Sequence, residues 1–184
     1  METIAQILTN DINKKSIDYP FGTLVKKQKK FFKDDKHKMN VRIQNLKDVI
    51  NAFSQEGITY WLQGKTLLGM YRDKKLISDD TDEDIGTSSD NIHIVCNKII
   101  PKLEFLGFEV IRATENNSML SVLKNFRYID ICFFKHKGNN IGYENKFFPK
   151  EYYDSFETIT IKGFDYSIPT RSKEIIKHSY NISL

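Results

Sequence analysis

A chain of 184 residues with 28 Lys and Arg against 24 Asp and Glu is long enough to bury a core of its own as one domain. Its 40% apolar and 28% charged residues are ordinary for a globular protein, and a net charge of +4 tolerates phosphorylated or acidic partners without demanding nucleic acid. No run approaches the roughly 20 apolar residues that span a bilayer, and no basic start leads into a sustained apolar stretch, so the sequence reads as soluble and cytoplasmic.

Residues 1–38 are the least committed part, expected as a helical, basic extension ahead of a domain at 39–184. Within it, "KKQKKFFKDDKHK" (26–38) reads as a solvated helix or loop, the alternative being a patch that meets phosphates. From Met39 onward, Val41, Ile43, Leu46, Val49, Ile50 and Phe53 recur at intervals of three and four. That spacing predicts an amphipathic helix, ended by Gly57.

"ITYWL" (58–62) reads as a short buried strand. A turn at Gly64 then leads into a short helix over "KTLLGMYRDKK". The stretch 91–111 is either one helix bent at Pro101 or a strand followed by a helix that opens with Pro101. "FRYIDICFF" (126–134) is the clearest strand. "ETITI" and "FDYSI" flank Lys162 and Gly163 as a hairpin, and a last helix covers 171–180. Helices mixed with several strands indicate an α+β or mixed α/β domain. Cys96 and Cys132 sit in apolar runs and are expected as buried free thiols.

The chemistry concentrates in "SDDTDEDIGT" (78–87), where five carboxylates fall within the six positions from Asp79 to Asp84. In a strand Asp82 and Asp84 project to one face, with Glu83 on the other. Two such carboxylates suit a hard divalent cation such as Mg2+. Asp130, alone among apolar residues in "YIDICFF", is the best third ligand, because a buried Asp needs a compensating partner. A hydrogen-bonded Asp at a strand end is the structural alternative. In "QGKTLLGMYR" (63–72), Gly64 lets a ligand approach the backbone. Lys65 and Thr66 sit near a helix N-terminus that favours anions, and Arg72 offers paired donors to a phosphate. A turn capped by Thr66 is the plainer reading.

A strand, a glycine turn, a short helix and an Asp-x-Asp strand, in that order, resemble the nucleotidyltransferase superfamily. "GKTLLGMYRDKKLI", "DEDIG", "YIDICFF", "FFPKEYYD" and "GFDYSIPTRSKEIIKHSYN" narrow the resemblance to the LicD and fukutin family, from about Tyr60 to Asn181. The resemblance implies a DNA polymerase beta-like core, a small mixed sheet flanked by helices. It also implies transfer, dependent on Mg2+ or Mn2+, of a phosphocholine-like or ribitol-phosphate-like group from a CDP-linked donor to a glycan or other hydroxyl. Carried over by position, Asp82, Asp84 and Asp130 bind the metal, Asp130 also helps deprotonate the acceptor, and Thr66 faces phosphate. Two positions depart from the family. Lys65 stands where a small or neutral residue is usual. Glu83 replaces an apolar residue, which predicts that position 83 is not fully buried.

Two other functions fit the same residues. One is attachment of a nucleotide to a protein, RNA or small molecule; the other is a non-catalytic module binding nucleotide or nucleic acid through residues 26–38.

Overall fold

The computed structural model describes residues 1–182. Five strands form its spine: β1 (Trp61–Gln63), β2 (Asp82–Ser88), β3 (Glu109–Ala113), β4 (Met119–Lys124) and β5 (Arg127–Lys137). They lie side by side in the order β1-β2-β5-β4-β3. Only β2 and β5 run parallel; the other neighbours are antiparallel. The long β5 outruns β4, and its far end pairs with β6 (Asn140–Tyr143), which pairs with β7 (Lys146–Pro149). A separate hairpin joins β8 (Phe156–Ile161) to β9 (Phe164–Pro169). Lys162 and Gly163 both have positive φ at its tip, as a tight hairpin requires.

Among the described residues seven α-helices flank the strands: α1 (Ile4–Thr9), α2 (Phe21–Phe31), α3 (Asp35–Gln55), α4 (Gly64–Arg72), α5 (Ile92–Ile94), α6 (Ile100–Phe105) and α7 (Ser172–Tyr180). Asp34 caps α3 by accepting from the His37 amide at 2.6 Å, and the chain leaves it through Gly57 at φ +65°. Of the two readings of 91–111, the bent helix is the one formed. A π-helical turn, Val95–Ile99, separates α5 from α6 just before Pro101, whose missing N–H breaks the regular ladder. Strands β4, β6 and β7 lie beyond what the sequence pattern predicted. "MLSVLK" is apolar with no clean alternation, since five of its six residues are buried.

The main core gathers Leu46, Val49, Ile50 and Phe53 of α3 with Leu62, Ile85, Ile129 and Ile131 of the sheet. Cys96 and Cys132 are free and buried, as expected. The N-terminal segment packs on this body. Ile4 and Ala5 of α1 are fully buried in the core. Ile17 pairs with Ala113 at the edge of β3, and Leu24 of α2 joins Ile111 and Leu123 in a second cluster. The lysines Lys26, Lys27 and Lys30 of α2 stay exposed. Among the described residues no helix is long and apolar enough to cross a membrane.

Candidate active site

Parallel pairing of β2 and β5 sets Asp84 directly opposite Asp130. Asp82, two residues earlier on β2, shares their face. One carboxylate oxygen from each lies within 4.8 Å of the others. Burial lifts the Asp84 carboxyl well above its usual range, and repulsion from Asp130, Asp82 and Asp80 adds to it. Asp130 is raised by burial too, opposed by Arg112 and Ser121. Those two partners hold it from both sides. Ser121 Oγ donates to Oδ1 at 2.5 Å, and Arg112 Nη2 donates to Oδ2 at 2.6 Å. Among the described residues the one ion pair made by the three carboxylates is that of Asp130 with Arg112, while Lys146 acts on Asp84 by charge alone. The donors are all hard oxygens and their charge is under-compensated, so the cluster fits a divalent ion such as Mg2+ or Mn2+.

The glycine turn places α4 against this edge. Gly64 takes φ +62°, and a β-carbon there would collide with Asp84 Oδ2, so the position requires glycine twice over. Thr66 is buried, and its hydroxyl accepts from the Asp84 amide at 2.9 Å. That bond fixes the backbone of β2 beside the carboxylates. Lys65 is largely exposed and reaches Asp80 Oδ1 at 3.1 Å. Arg72 is not brought to the cluster. It stands eight residues further along α4, about 12 Å along the helix axis. There it is exposed and clasps its neighbour Asp73 through two hydrogen bonds, of 2.8 and 2.7 Å.

The opposite face of β2 corrects one expectation. Glu83 has 0% exposure. It is paired to Arg42 of α3, whose Nε lies 2.5 Å from Oε1. The equally buried Arg127 also pulls the Glu83 carboxyl down, against the larger upward effect of burial. The two arginines hold the acidic loop by its backbone. Arg42 Nη1 donates to the Ile77 carbonyl at 2.8 Å, and Arg127 Nη2 to the Asp80 carbonyl at 2.9 Å.

Several of these residues escaped the sequence reading. Arg42 and Asn45 looked polar, yet they precede Leu46 and Val49 by four residues and belong to the buried stripe of α3. Arg112 is a charge between the apolar Ile111 and Ala113 of "EVIRA", a signal akin to the one that singled out Asp130. A cleft of about 290 Å³ opens beside Gly64, lined by Gln63, Tyr143, Lys146, Phe147 and Tyr180. The nearby Asp84, Asp80 and Asp82 help burial to raise the Tyr180 hydroxyl.

Comparison with known proteins follows the same outline. The family described as "LicD/FKTN/FKRP, nucleotidyltransferase domain" matches residues 57–171. An uncharacterized protein of Rickettsia typhi is 28% identical over 159 residues, covering 79% of this chain and 49% of the relative. One from Rickettsia prowazekii is 33% identical over 94 residues, covering 50% of this chain and 35% of the relative. The chain thus spans half or less of the length of these relatives. Among solved structures, the lincosamide antibiotic adenylyltransferase LnuA, lincomycin-bound, superposes with a TM-score of 0.50 at 20% identity, over 76% of this chain and 87% of that one. The antibiotic-resistance factor ANT(2'')-Ia does so with a TM-score of 0.55 at 11% identity, over 76% and 70%. At such identities the likeness is one of fold: a mixed nucleotidyltransferase sheet flanked by helices.

Proposed function

Because the chain belongs to the LicD/FKTN/FKRP nucleotidyltransferase domain family, we propose that it transfers a substituted phosphate from a CDP-linked donor to a sugar hydroxyl. The group moved would be of the phosphocholine or ribitol phosphate kind. The observation that carries this reading is the convergence of Asp82, Asp84 and Asp130 within 4.8 Å on one sheet face, with the Gly64 backbone pressed against Asp84.

Each residue has a task in this scheme. Asp82, Asp84 and Asp130 would hold Mg2+ or Mn2+, which when bound neutralises charge developing on the phosphoryl group. Thr66 fixes the Asp84 backbone. Gly64 lets the turn pack directly against Asp84, and Lys65 supplies a cation at the same helix start. Arg112 and Ser121 orient Asp130, whose raised proton affinity suits it to take the acceptor's hydroxyl proton. The cleft lined by Tyr143, Phe147 and Tyr180 gives flat apolar faces for a base or sugar ring.

Product analysis tests the scheme. The protein is incubated with Mg2+ and each of CDP-choline, CDP-ribitol, CDP-glycerol, CTP and ATP. Release of CMP from a CDP-linked donor, lost in Asp84→Asn, is the expected result. Pyrophosphate released from CTP or ATP would replace this reading with nucleotide transfer. Turnover of none of the donors, with salt-sensitive binding of nucleic acid, would leave a binding module.

A further inference from the structure

A second cavity lies apart from the carboxylates. It measures about 540 Å³, inside the roughly 300–1,000 Å³ typical of small-molecule sites, and none of Asp82, Asp84 and Asp130 lines it. Its walls are the first half of α3, the segment 72–78 and the tip of the β8–β9 hairpin. Met39, Ile43, Ile77 and Ile161 make its interior apolar. The first three are only partly covered by protein, so they present apolar surface that nothing in the chain finishes burying.

The margin is cationic. Lys47, Lys74, Lys75 and Lys162 all line the cavity, together with Arg72. Asp73 is the one acid there, and Arg72 already occupies both of its oxygens. Among the described residues none of the four lysines forms an ion pair. Like charges gathered at an apolar opening repel one another until an outside anion arrives.

We infer that this cavity binds a small organic anion with an apolar body, the body resting on Ile43 and Ile77 and a phosphate or carboxylate meeting Lys75 and Lys162. The two halves of the ligand answer two separate deficits. Lys47 and Lys74 already rest over the rings of Phe164 and Tyr71; a free phosphate would forgo the burial of apolar surface, and a neutral hydrocarbon would leave Lys75 and Lys162 without a counter-charge. The inference stands apart from the transfer chemistry, because no residue of the carboxylate cluster takes part.

Calorimetric titration with dodecyl phosphate, below its micelle concentration and without metal, tests this. Saturable one-to-one binding is expected, with inorganic phosphate and dodecanol each weaker by about tenfold or more. The double variant Lys75→Glu/Lys162→Glu should weaken dodecyl phosphate binding by at least about tenfold. Lys173→Glu, on α7 and outside the cavity, should leave affinity within about twofold. Asp84→Asn should also bind normally, so a failed transfer reaction leaves this test intact. Binding that never saturates, or that the double variant leaves unchanged, would overturn the proposal. So would phosphate binding equally well, which marks a plain anion site, or dodecanol doing so, which marks an apolar patch. Sedimentation showing a second copy of the chain closing the cavity would overturn it too.

Discussion

The two faces of β2 handle buried charge in opposite ways. On one, Asp82 and Asp84 meet Asp130, and among the described residues the one ion pair of the three is that of Asp130 with Arg112. On the other, Glu83 alone lies against Arg42, with Arg127 beside it. Adjacent residues of one strand share backbone and sheet, and although Glu83 is the more deeply buried, burial alone would make its face the one in greater need of an outside charge. The difference is where compensation comes from. The Glu83 carboxylate meets its counter-charge inside the chain, with Oε2 and Arg127 Nε left without hydrogen-bond partners, and the two arginines hold the loop at Ile77 and Asp80. The aspartate face is left short of positive charge, which a structural site has no reason to be, and it is open to a cation supplied from outside.

The largest effect should come from breaking the settled face. Arg42→Met leaves Glu83 buried without its ion-pair partner and frees the Ile77 carbonyl. Removing one member of a buried pair costs about 3–5 kcal/mol. Urea unfolding should show that loss, while the double variant Arg42→Met/Glu83→Leu should recover much of it. If the two single losses simply add in the double variant, the pair is not coupled and the contrast between faces fails.

Arg112→Gln comes next and strikes the open face. Asp130 keeps only Ser121, and losing a charge-assisted bond costs about 1–3 kcal/mol. The cluster also becomes more negative, so a divalent ion should stabilise this variant more than the wild type. Equal Mn2+-induced melting shifts in both proteins would mean that Arg112 does not share its aspartate with an ion.

The pieces legible in the sequence were those with local causes. Alternation alone placed Asp82 and Asp84 on one face, the intervals in α3 marked its helix, and "KG" marked the hairpin. Asp130 was visible because a lone charge in "YIDICFF" contradicts its surroundings. What stayed hidden depends on partners far along the chain. Arg42 finds Glu83 across 41 positions and Arg112 finds Asp130 across 18, and an arginine awaiting such a partner looks like any solvated one. Glu83 was misjudged for the same reason: a charge suggests exposure until the guanidinium that neutralises it is known. Arg72 shows the converse, since a plausible phosphate ligand is taken up by the aspartate next to it.

Asp84→Asn should have a smaller effect on stability, and of the opposite sign. It removes a buried charge that three neighbouring aspartates repel, so the metal-free fold should gain about 1 kcal/mol while transfer activity is lost. The pH dependence follows from the same shift. A carboxyl raised in the folded state favours folding below its ordinary range and loses that contribution as pH rises through the raised value. Metal-free wild type should therefore lose stability between the ordinary and raised values as pH increases, and Asp84→Asn should lose less. Divalent ion binds the deprotonated form, so its stabilising effect should shrink as pH falls. Parallel melting curves for wild type and variant across that range would show that Asp84 carries no such strain.

Lys65 lies where the two kinds of charge meet, and its effect on stability should be the smallest. Its side chain is 55% exposed and pairs at 3.1 Å with Asp80, whose carbonyl is held by Arg127 from the settled side. Asp80 raises the lysine most, by hydrogen bond and by charge, with Asp82 and Asp79 adding to it. The lysine end is exposed but Asp80 is buried, so the pair belongs at the upper end of the about 0.2–1 kcal/mol of surface pairs, and Lys65→Ala should melt only slightly below wild type. Donor binding separates its two possible allegiances. If Lys65 belongs to the open face, it leaves Asp80 for a donor phosphate, and the alanine variant should bind the preferred nucleotide about tenfold more weakly. If it belongs to the loop, nucleotide affinity stays unchanged and only the small stability loss remains. We expect the first result, because Lys65 is one residue past the Gly64 turn that lies against Asp84, and its ammonium is already drawn by the acidic loop beside the cluster. Titration of the nucleotide at fixed Mg2+, with the melting temperature measured on the same samples, reads both quantities at once.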